Sequence, residues 1–299
     1  MTARPDGPDH AIPGVLWRRD PETDPVPLVV DSPHSSTDWP ADFDHIVTEA
    51  ELMTSVDRFV DELFGHAPAV GGTLIAARFP RAYIDANRSE EDLDLALIDG
   101  EWPLPVNPGE KTEFGMGVVR RYILKGRPIY DRKLGVGEVL RRLETYHRPY
   151  HAAVAEAIAG ARARFGTAFH IDCHSMKPVG NAMNVDAGEP RPDVVLSDRD
   201  GTTCDPAFTD VAAALLRERG YRVAINHPYK GAELVARHSD PAAGRHSLQI
   251  ELNRALYLDD RTFEKTAGFG ALKADLDRFL EGMAVFARER VGSGRAGST

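Results

Sequence analysis

Seven short apolar runs divide this chain, and they limit its fold more tightly than any other feature. They are PLVV (27–30), GTLIAARF (72–79), AYID (82–85), AFHID (168–172), DVVLS (193–197), YRVAIN (221–226) and SLQIEL (247–252). Each is rich in the Val, Ile and Leu of buried strands, and the stretches between them have helical periodicity. Residues 48–65 place Leu52, Val56, Phe59, Val60 and Leu63 on one helix face. Residues 136–164 and 205–218 also read as helices, the latter opening on Asp205-Pro206, an N-cap followed by a first-turn proline. Residues 260–290 read as a long amphipathic helix with a break near Gly268 and Gly270. Strands alternating with helices predict an α/β fold with a mixed, largely parallel central sheet flanked by helices. There is no internal repeat and no Pro- or Ser-rich linker. One domain is therefore expected over 13–290, with residues 1–12 and 291–299 as frayed ends.

A chain of 299 residues buries such a core without staples. Its acids outnumber its Lys and Arg by 46 to 36, a net charge of −10, which argues against a general affinity for nucleic acid or anionic membranes. No uninterrupted apolar stretch reaches the roughly 18 residues of a membrane span, and the opening MTARPDGPDHAIPG lacks the apolar core of a signal peptide. The two cysteines, Cys173 and Cys204, form no CxxC and are expected to be small buried hydrophobes in a reducing, cytoplasmic setting. Oligomeric state leaves no mark on the sequence.

Three of the expected strands carry groups that bind metals or move protons. PLVVDSPHSS leads to His34, AFHIDCHSMK to His174, and SLQIELNR contains Glu251. Ligands of α/β sheets gather at the carboxyl ends of strands, and two histidines delivered there could supply two of the three protein ligands of a catalytic zinc. A carboxylate is still needed. Singly these signals are weak, since a lone histidine beside a strand is most often a satisfied structural residue. A Glu inside an apolar strand is rarer, because burying an unpaired carboxylate is costly. The fragment RFPRAYIDANRSEEDLD (78–94) brings Arg78, Arg81 and Arg88 near strand ends in an otherwise acidic chain. Asn87-Arg88 suits a substrate carboxylate, against the plainer alternative that Arg88 pairs with the acids of 90–94. SDRDGTTCD (197–205) misses the spacing of a calcium loop and is expected to be a turn before a helix. The stretch 226–241, with His227, Lys230 and His238, is long enough for a substrate lid or for a plain surface loop. His151 is expected to pack within the 136–164 helix, with a supporting role behind the site residues as the lesser alternative.

The order of these motifs resembles the zinc carboxypeptidases and the N-acyl amino acid hydrolases. More closely, residues from about 25 to 260 resemble the N-formylglutamate amidohydrolase family, through SPHSS (32–36), DRFVDELF (57–64), FPRAYIDANR (79–88), RPYH (148–151), HIDCHSMK (170–177) and ELNR (251–254). The resemblance implies a carboxypeptidase-like fold and a metal-dependent, usually zinc, amidohydrolase. It implies His34 and His174 as metal ligands, Glu251 as general base, and Asn87-Arg88 as the pair holding a carboxylate of a small anionic N-acyl amino acid. Carboxypeptidases put Glu three residues after the first His. Here that position is Thr37, followed by Asp38, so the third ligand is either Asp38 or Asp57, with Asp57 matching the family pattern. Arg81, Lys177 or Arg254 is expected to face a second carboxylate or the developing oxyanion. The implied reaction is hydrolysis of N-formyl-L-glutamate to formate and glutamate, a step of histidine degradation. The alternatives are another N-acyl amino acid or C-terminal peptide substrate, or a non-catalytic ligand-binding protein on the same fold.

Overall fold

Successive side chains of a β-strand point to opposite faces of its sheet, and this chain uses that period of two to separate packing from chemistry. The computed structural model describes residues 8–182 and 184–291. In the longest strands, Ala168–Met176 and Arg245–Asn253, one set of alternate residues is apolar: Phe169, Ile171 and Cys173, and Leu248, Ile250 and Leu252. This face packs on the helices Pro206–Glu218 and Phe269–Glu289, through Phe208, Leu216, Leu276, Phe279 and Met283. The other set reads His170, Asp172, His174 and Ser247, Gln249, Glu251, every one of them buried. A buried polar face carries a high desolvation cost unless its groups satisfy one another, so its retention here marks the functional side of the sheet.

Among the described residues the sheet has eight strands: β1 (His10–Ile12), β2 (Leu16–Arg19), β3 (Leu28–Ser32), β4 (Thr73–Ala77), β5 (Ala168–Met176), β6 (Val194–Ser197), β7 (Val223–Ile225) and β8 (Arg245–Asn253). They lie in the order β1-β2-β4-β3-β5-β8-β6-β7. The central strands β4, β3, β5 and β8 run parallel, while β2 against β4 and β6 against β8 are antiparallel. The mixed, centrally parallel sheet expected from the sequence is therefore present. In register, Asp31 faces Asp172 and Glu251 faces His174, so β3, β5 and β8 deliver their carboxyl ends side by side.

Several local expectations are revised. AYID is no strand: Tyr83 and Ile84 donate their N–H groups to Pro80 O in a turn, and Ala82, Tyr83 and Ile84 are buried without alternation. The 48–65 helix splits. Thr48 and Glu51 form a capping box for Glu49–Met53, and the Thr54 and Ser55 hydroxyls then bond back to Glu51 O and Leu52 O. The chain leaves the helix, Asp57 N donates to His34 O at 2.9 Å, and only Val60–Leu63 resumes helical geometry. The last helix starts at Phe269. Gly268 caps it where a Cβ would lie 2.2 Å from Leu256 O, so only glycine fits. At the amino end, His10–Ile12 pair with β2 rather than fray, and the remainder of the expected ends, 1–7 and 292–299, lies outside the described residues. Cys173 and Cys204 are buried and unpaired. No helix among the described residues is long and apolar enough to cross a membrane.

The segment 226–241 forms a wall tied to the rest of the fold by hydrogen bonds. Lys230 O accepts from Arg199 N, Tyr229 O accepts from Ser197 Oγ, and Leu234 N donates to Asn87 Oδ1. Its helix Glu233–His238 ends on His238, which stacks on His151. Asp198, in SDRDGTTCD, accepts from Gly201 N, Asn226 Nδ2 and Thr209 Oγ1, making the turn expected there.

Burial holds His147 and His151 below their ordinary range and takes His238 down to about 3. The unfolded chain, with histidines near 6.5, then binds more protons than the native state as the medium is acidified. Their contribution is complete above about pH 6.5 and lost as pH falls below it, with a slope approaching 1.4 kcal/mol per pH unit for each. Denaturant titrations between pH 7.5 and 4.5 should show this decline, and it should be shallower in His238→Gln; an unchanged slope in that variant would remove His238 from the account.

Candidate active site

His34 follows β3, His174 ends β5 and Asp57 occupies the break between two helices; the three are buried and their donor atoms converge. His34 Nδ1 lies 3.1 Å from His174 Nδ1 and 3.4 Å from Asp57 Oδ2, and His174 Nδ1 lies 3.2 Å from the same oxygen. Carboxylates stand behind both rings: His34 Nε2 is 2.8 Å from Asp85 Oδ1 and His174 Nε2 is 2.8 Å from Asp172 Oδ1. At His34 the carboxylate at Nε2 draws the ring proton there, which would leave its Nδ1 lone pair to a cation in the shared space. Asp57 Oδ2 accepts from His174 Nδ1 at 3.2 Å, and the carboxylates of Asp172 and Asp57 hold His174, against burial, well above the usual imidazole range; a divalent cation bound here would take the place of that proton. Ligands about 2.0–2.1 Å from a tetrahedral zinc stand roughly 3.3–3.4 Å apart, so this donor triangle fits such an ion.

The surrounding charges keep the triangle anionic. Burial alone would raise Asp57, but hydrogen bonds with His174 and His34 and the charge of Arg254 hold it well below the usual carboxylate range. All three side-chain nitrogens of Arg254 are engaged: Nη2 donates to Asp57 Oδ1 at 2.9 Å, Nε to Ser175 Oγ at 3.1 Å and Nη1 to Thr54 O at 3.1 Å. It holds Asp57 in place through these contacts. Asp38 is half-exposed and paired with Arg78. Glu251, on β8, is the register partner of His174 on β5, with Gln249 Nε2 donating to its Oε1 at 3.1 Å. Burial, supported by the Asp57 charge and opposed by His174, pushes its carboxyl up to about 7.

On the far side of His34 lies a cluster of arginines. Asp85 accepts from Arg81 Nε at 3.0 Å and Nη2 at 2.8 Å, and from Arg120 Nη2 at 3.4 Å. Burial and the neighbouring charges of Arg81 and Arg88 bring Arg120 down to about 9, against the pull of Asp85. Arg88 donates Nε to Met116 O at 3.1 Å, and its Nη groups have no partner among the described residues. Glu90, the nearest of the acids expected as an alternative partner for Arg88, binds Arg148 instead. Asn87 is in the site with its amide engaged: Nδ2 lies 2.9 Å from His174 Nε2, and Oδ1 accepts from Leu234 N. Arg88 is thus the member of the pair with free donors. Lys177 is part-buried beside Arg254 and Arg191, and burial lowers its pKa.

Sequence reasoning brought together His34, His174, Glu251, Arg81 and Arg88. It missed Asp85, Asp172 and Arg120. The first two left a trace, as acids within apolar runs two or three residues from named site residues. Arg120, in GVVRRY, left none.

Residues 26–258 match the family model of N-formylglutamate amidohydrolase. The crystal structure of N-formylglutamate amidohydrolase from Ralstonia eutropha JMP134 superposes with a TM-score of 0.89 at 46% identity, covering 92% of this chain and 99% of that one. An N-formylglutamate deformylase of Pseudomonas aeruginosa is 28% identical over 271 residues, 89% of this chain and 95% of its own length. One of Pseudomonas putida is 28% identical over 239 residues, covering 79% and 83%. With a family match over most of its length and a solved relative of this similarity, the chain belongs to the N-formylglutamate amidohydrolase family.

Proposed function

We propose that this protein hydrolyses the formamide of N-formyl-L-glutamate, giving formate and L-glutamate, with a divalent metal ion, zinc by preference, held by His34, Asp57 and His174. The observation that carries the proposal is the triangle of donor atoms 3.1–3.4 Å apart with a buried Glu beside it. A bound divalent ion supplies Lewis-acid polarisation of the amide oxygen and makes an attacking water more acidic. Glu251 takes a proton from that water as its oxygen bonds to the formyl carbon. As the carbon–nitrogen bond breaks, Glu251 returns the proton to the leaving nitrogen. Asp85 and Asp172 hold the two imidazoles in the tautomer that ligates, and Arg254 fixes Asp57.

Arg81, Arg88 and Arg120 form the anion-binding wall. Arg81 and Arg120 share one hydrogen-bonded carboxylate, Asp85, and Arg88 bonds to none, which leaves an excess of positive charge for a substrate carboxylate. Lys177, outside that wall, is a candidate for the second carboxylate. Arg88→Lys removes the planar fork and should lower kcat/KM for N-formyl-L-glutamate by about 10–100-fold, as expected when a charge-assisted bond of about 1.5–3 kcal/mol is lost. Steady-state kinetics check this, and an unchanged kcat/KM would take Arg88 out of the clamp. A panel of N-formyl and N-acetyl derivatives of Glu, Asp and Gln tests the substrate. Preference for N-formyl-Glu supports the proposal, and equal turnover of N-acetyl compounds overturns its specificity.

A further inference from the structure

The segment Asp85–Arg88 carries the site on irregular backbone, and every polar group of a buried coil needs a partner. Two of its N–H groups are satisfied locally, Asn87 N by Asp85 Oδ1 and Arg88 N by Asp85 O. Its carbonyls at 86 and 88 point the other way, toward one turn of the helix that opens with HRPYH (147–151). His151 Nε2 lies 2.8 Å from Ala86 O and His147 Nε2 lies 2.8 Å from Arg88 O. A carbonyl cannot donate, so both nitrogens carry their protons, and burial, which holds both rings below their ordinary range, keeps them neutral. With its Nε2 protonated, His151 accepts at Nδ1 from His238 Nε2, 2.9 Å away on the 226–241 wall. Between the two histidines, Arg148 grips Glu90 at 2.8–2.9 Å.

The local helix geometry serves this grip. Residues Leu143–His147 form a π-helical turn directly before Arg148–Phe165. One extra residue per turn re-aims the side chains that follow, and such insertions concentrate at functional sites. Here the His147 and His151 rings lie 4.4 Å apart, tilted to one another, and both are buried.

We propose that His147 and His151 are positioning residues for substrate binding. By donating to the carbonyls on either side of Asn87, they fix the aim of the Arg88 guanidinium at the substrate carboxylate. Neither touches substrate or metal. The proposal rests on the function proposed above, and it locates part of the specificity of the site in a helix outside the arginine wall.

The test replaces each histidine by Leu, which keeps bulk without a donor, and by Gln, whose amide can donate to the same carbonyl. Four properties are read for each variant: melting temperature, bound metal, KM and kcat for N-formyl-L-glutamate, and the calorimetric Kd for L-glutamate. The Leu variants should raise KM and Kd by about tenfold or more, the effect of losing one to two hydrogen bonds' worth of orientation, with kcat changed less than threefold and metal retained. The Gln variants should recover most of the affinity. If folded Leu variants keep wild-type KM and Kd, or if Gln behaves as Leu does, the proposal is overturned and the function stands. If wild type does not turn over N-formyl-L-glutamate while glutamate affinity still falls in the Leu variants, the function is overturned and the positioning role stands.

Discussion

Glu251→Gln is expected to lower kcat for N-formyl-L-glutamate by about 10²–10⁴-fold while leaving bound metal unchanged, since a positioned general base is typically worth that much. The substitution preserves the shape of the side chain and an acceptor for Gln249 Nε2, so the fold should hold. What disappears is the capacity to take a proton. The pH profile gives a second check. A base works only when deprotonated, so activity falls as pH drops through its pKa. In the cage without a cation, burial and Asp57 push Glu251 up to about 7; a divalent ion nearby favours the carboxylate and draws that value down. The acid limb of kcat/KM should accordingly lie below pH 7 and should vanish from the residual activity of Glu251→Gln. Full activity in that variant with metal bound would end the proposed mechanism, and it would equally weaken the case that the protein is an enzyme rather than a binding protein.

Asp57→Asn should have the second large effect, on metal content. The amide oxygen is a weaker ligand than a carboxylate, and it removes the negative charge that Arg254 and the two histidines face. Zinc retained through dialysis, measured by atomic emission, should fall below about a tenth per chain, with activity falling in step. Asp38→Asn is the matched control. Asp38 is half-exposed and paired with Arg78, so its replacement should leave zinc and activity as they are. Stability separates two contributions. Arg254 is buried, and taking away its partner leaves an uncompensated charge, a change that costs about 3–5 kcal/mol in buried pairs. Asp57→Asn should therefore unfold at lower denaturant even when compared with metal-stripped wild type. Zinc retention in Asp57→Asn, or zinc loss in Asp38→Asn, would reassign the third ligand.

How far the sequence carried these conclusions differs from residue to residue. His34 and His174 were legible because each closes a short apolar run, and strand ends in such folds point to one edge. Glu251 was legible because a carboxylate inside an apolar strand has no cheap structural reason to be there. Arg254 was legible only as a residue type. That type suggested an anion clamp, and only the structure reveals its contacts with Asp57, Ser175 and the Thr54 carbonyl. AYID was read as a strand from composition, and the wrapping of buried side chains around an irregular turn imitates that composition without the ladder.

The sequence by itself determined most elements and the chemical alphabet: which runs other than AYID form strands, which face of β5 and β8 is apolar, and that histidines, a carboxylate and arginines cluster near strand ends. Alternation and helical spacing are local properties, set within a few residues by backbone geometry. Tertiary structure alone decided the partners. Strand order placed β3 beside β5 and β5 beside β8, and that adjacency joins His34 to His174 across 140 positions and sets Glu251 next to His174. The break in the 48–65 helix, and not its pattern, moved Asp57 into the triangle. The grip of His147 and His151 on residues 86 and 88 depends on hydrogen-bond demand from a distant coil, which no local pattern in HRPYH encodes.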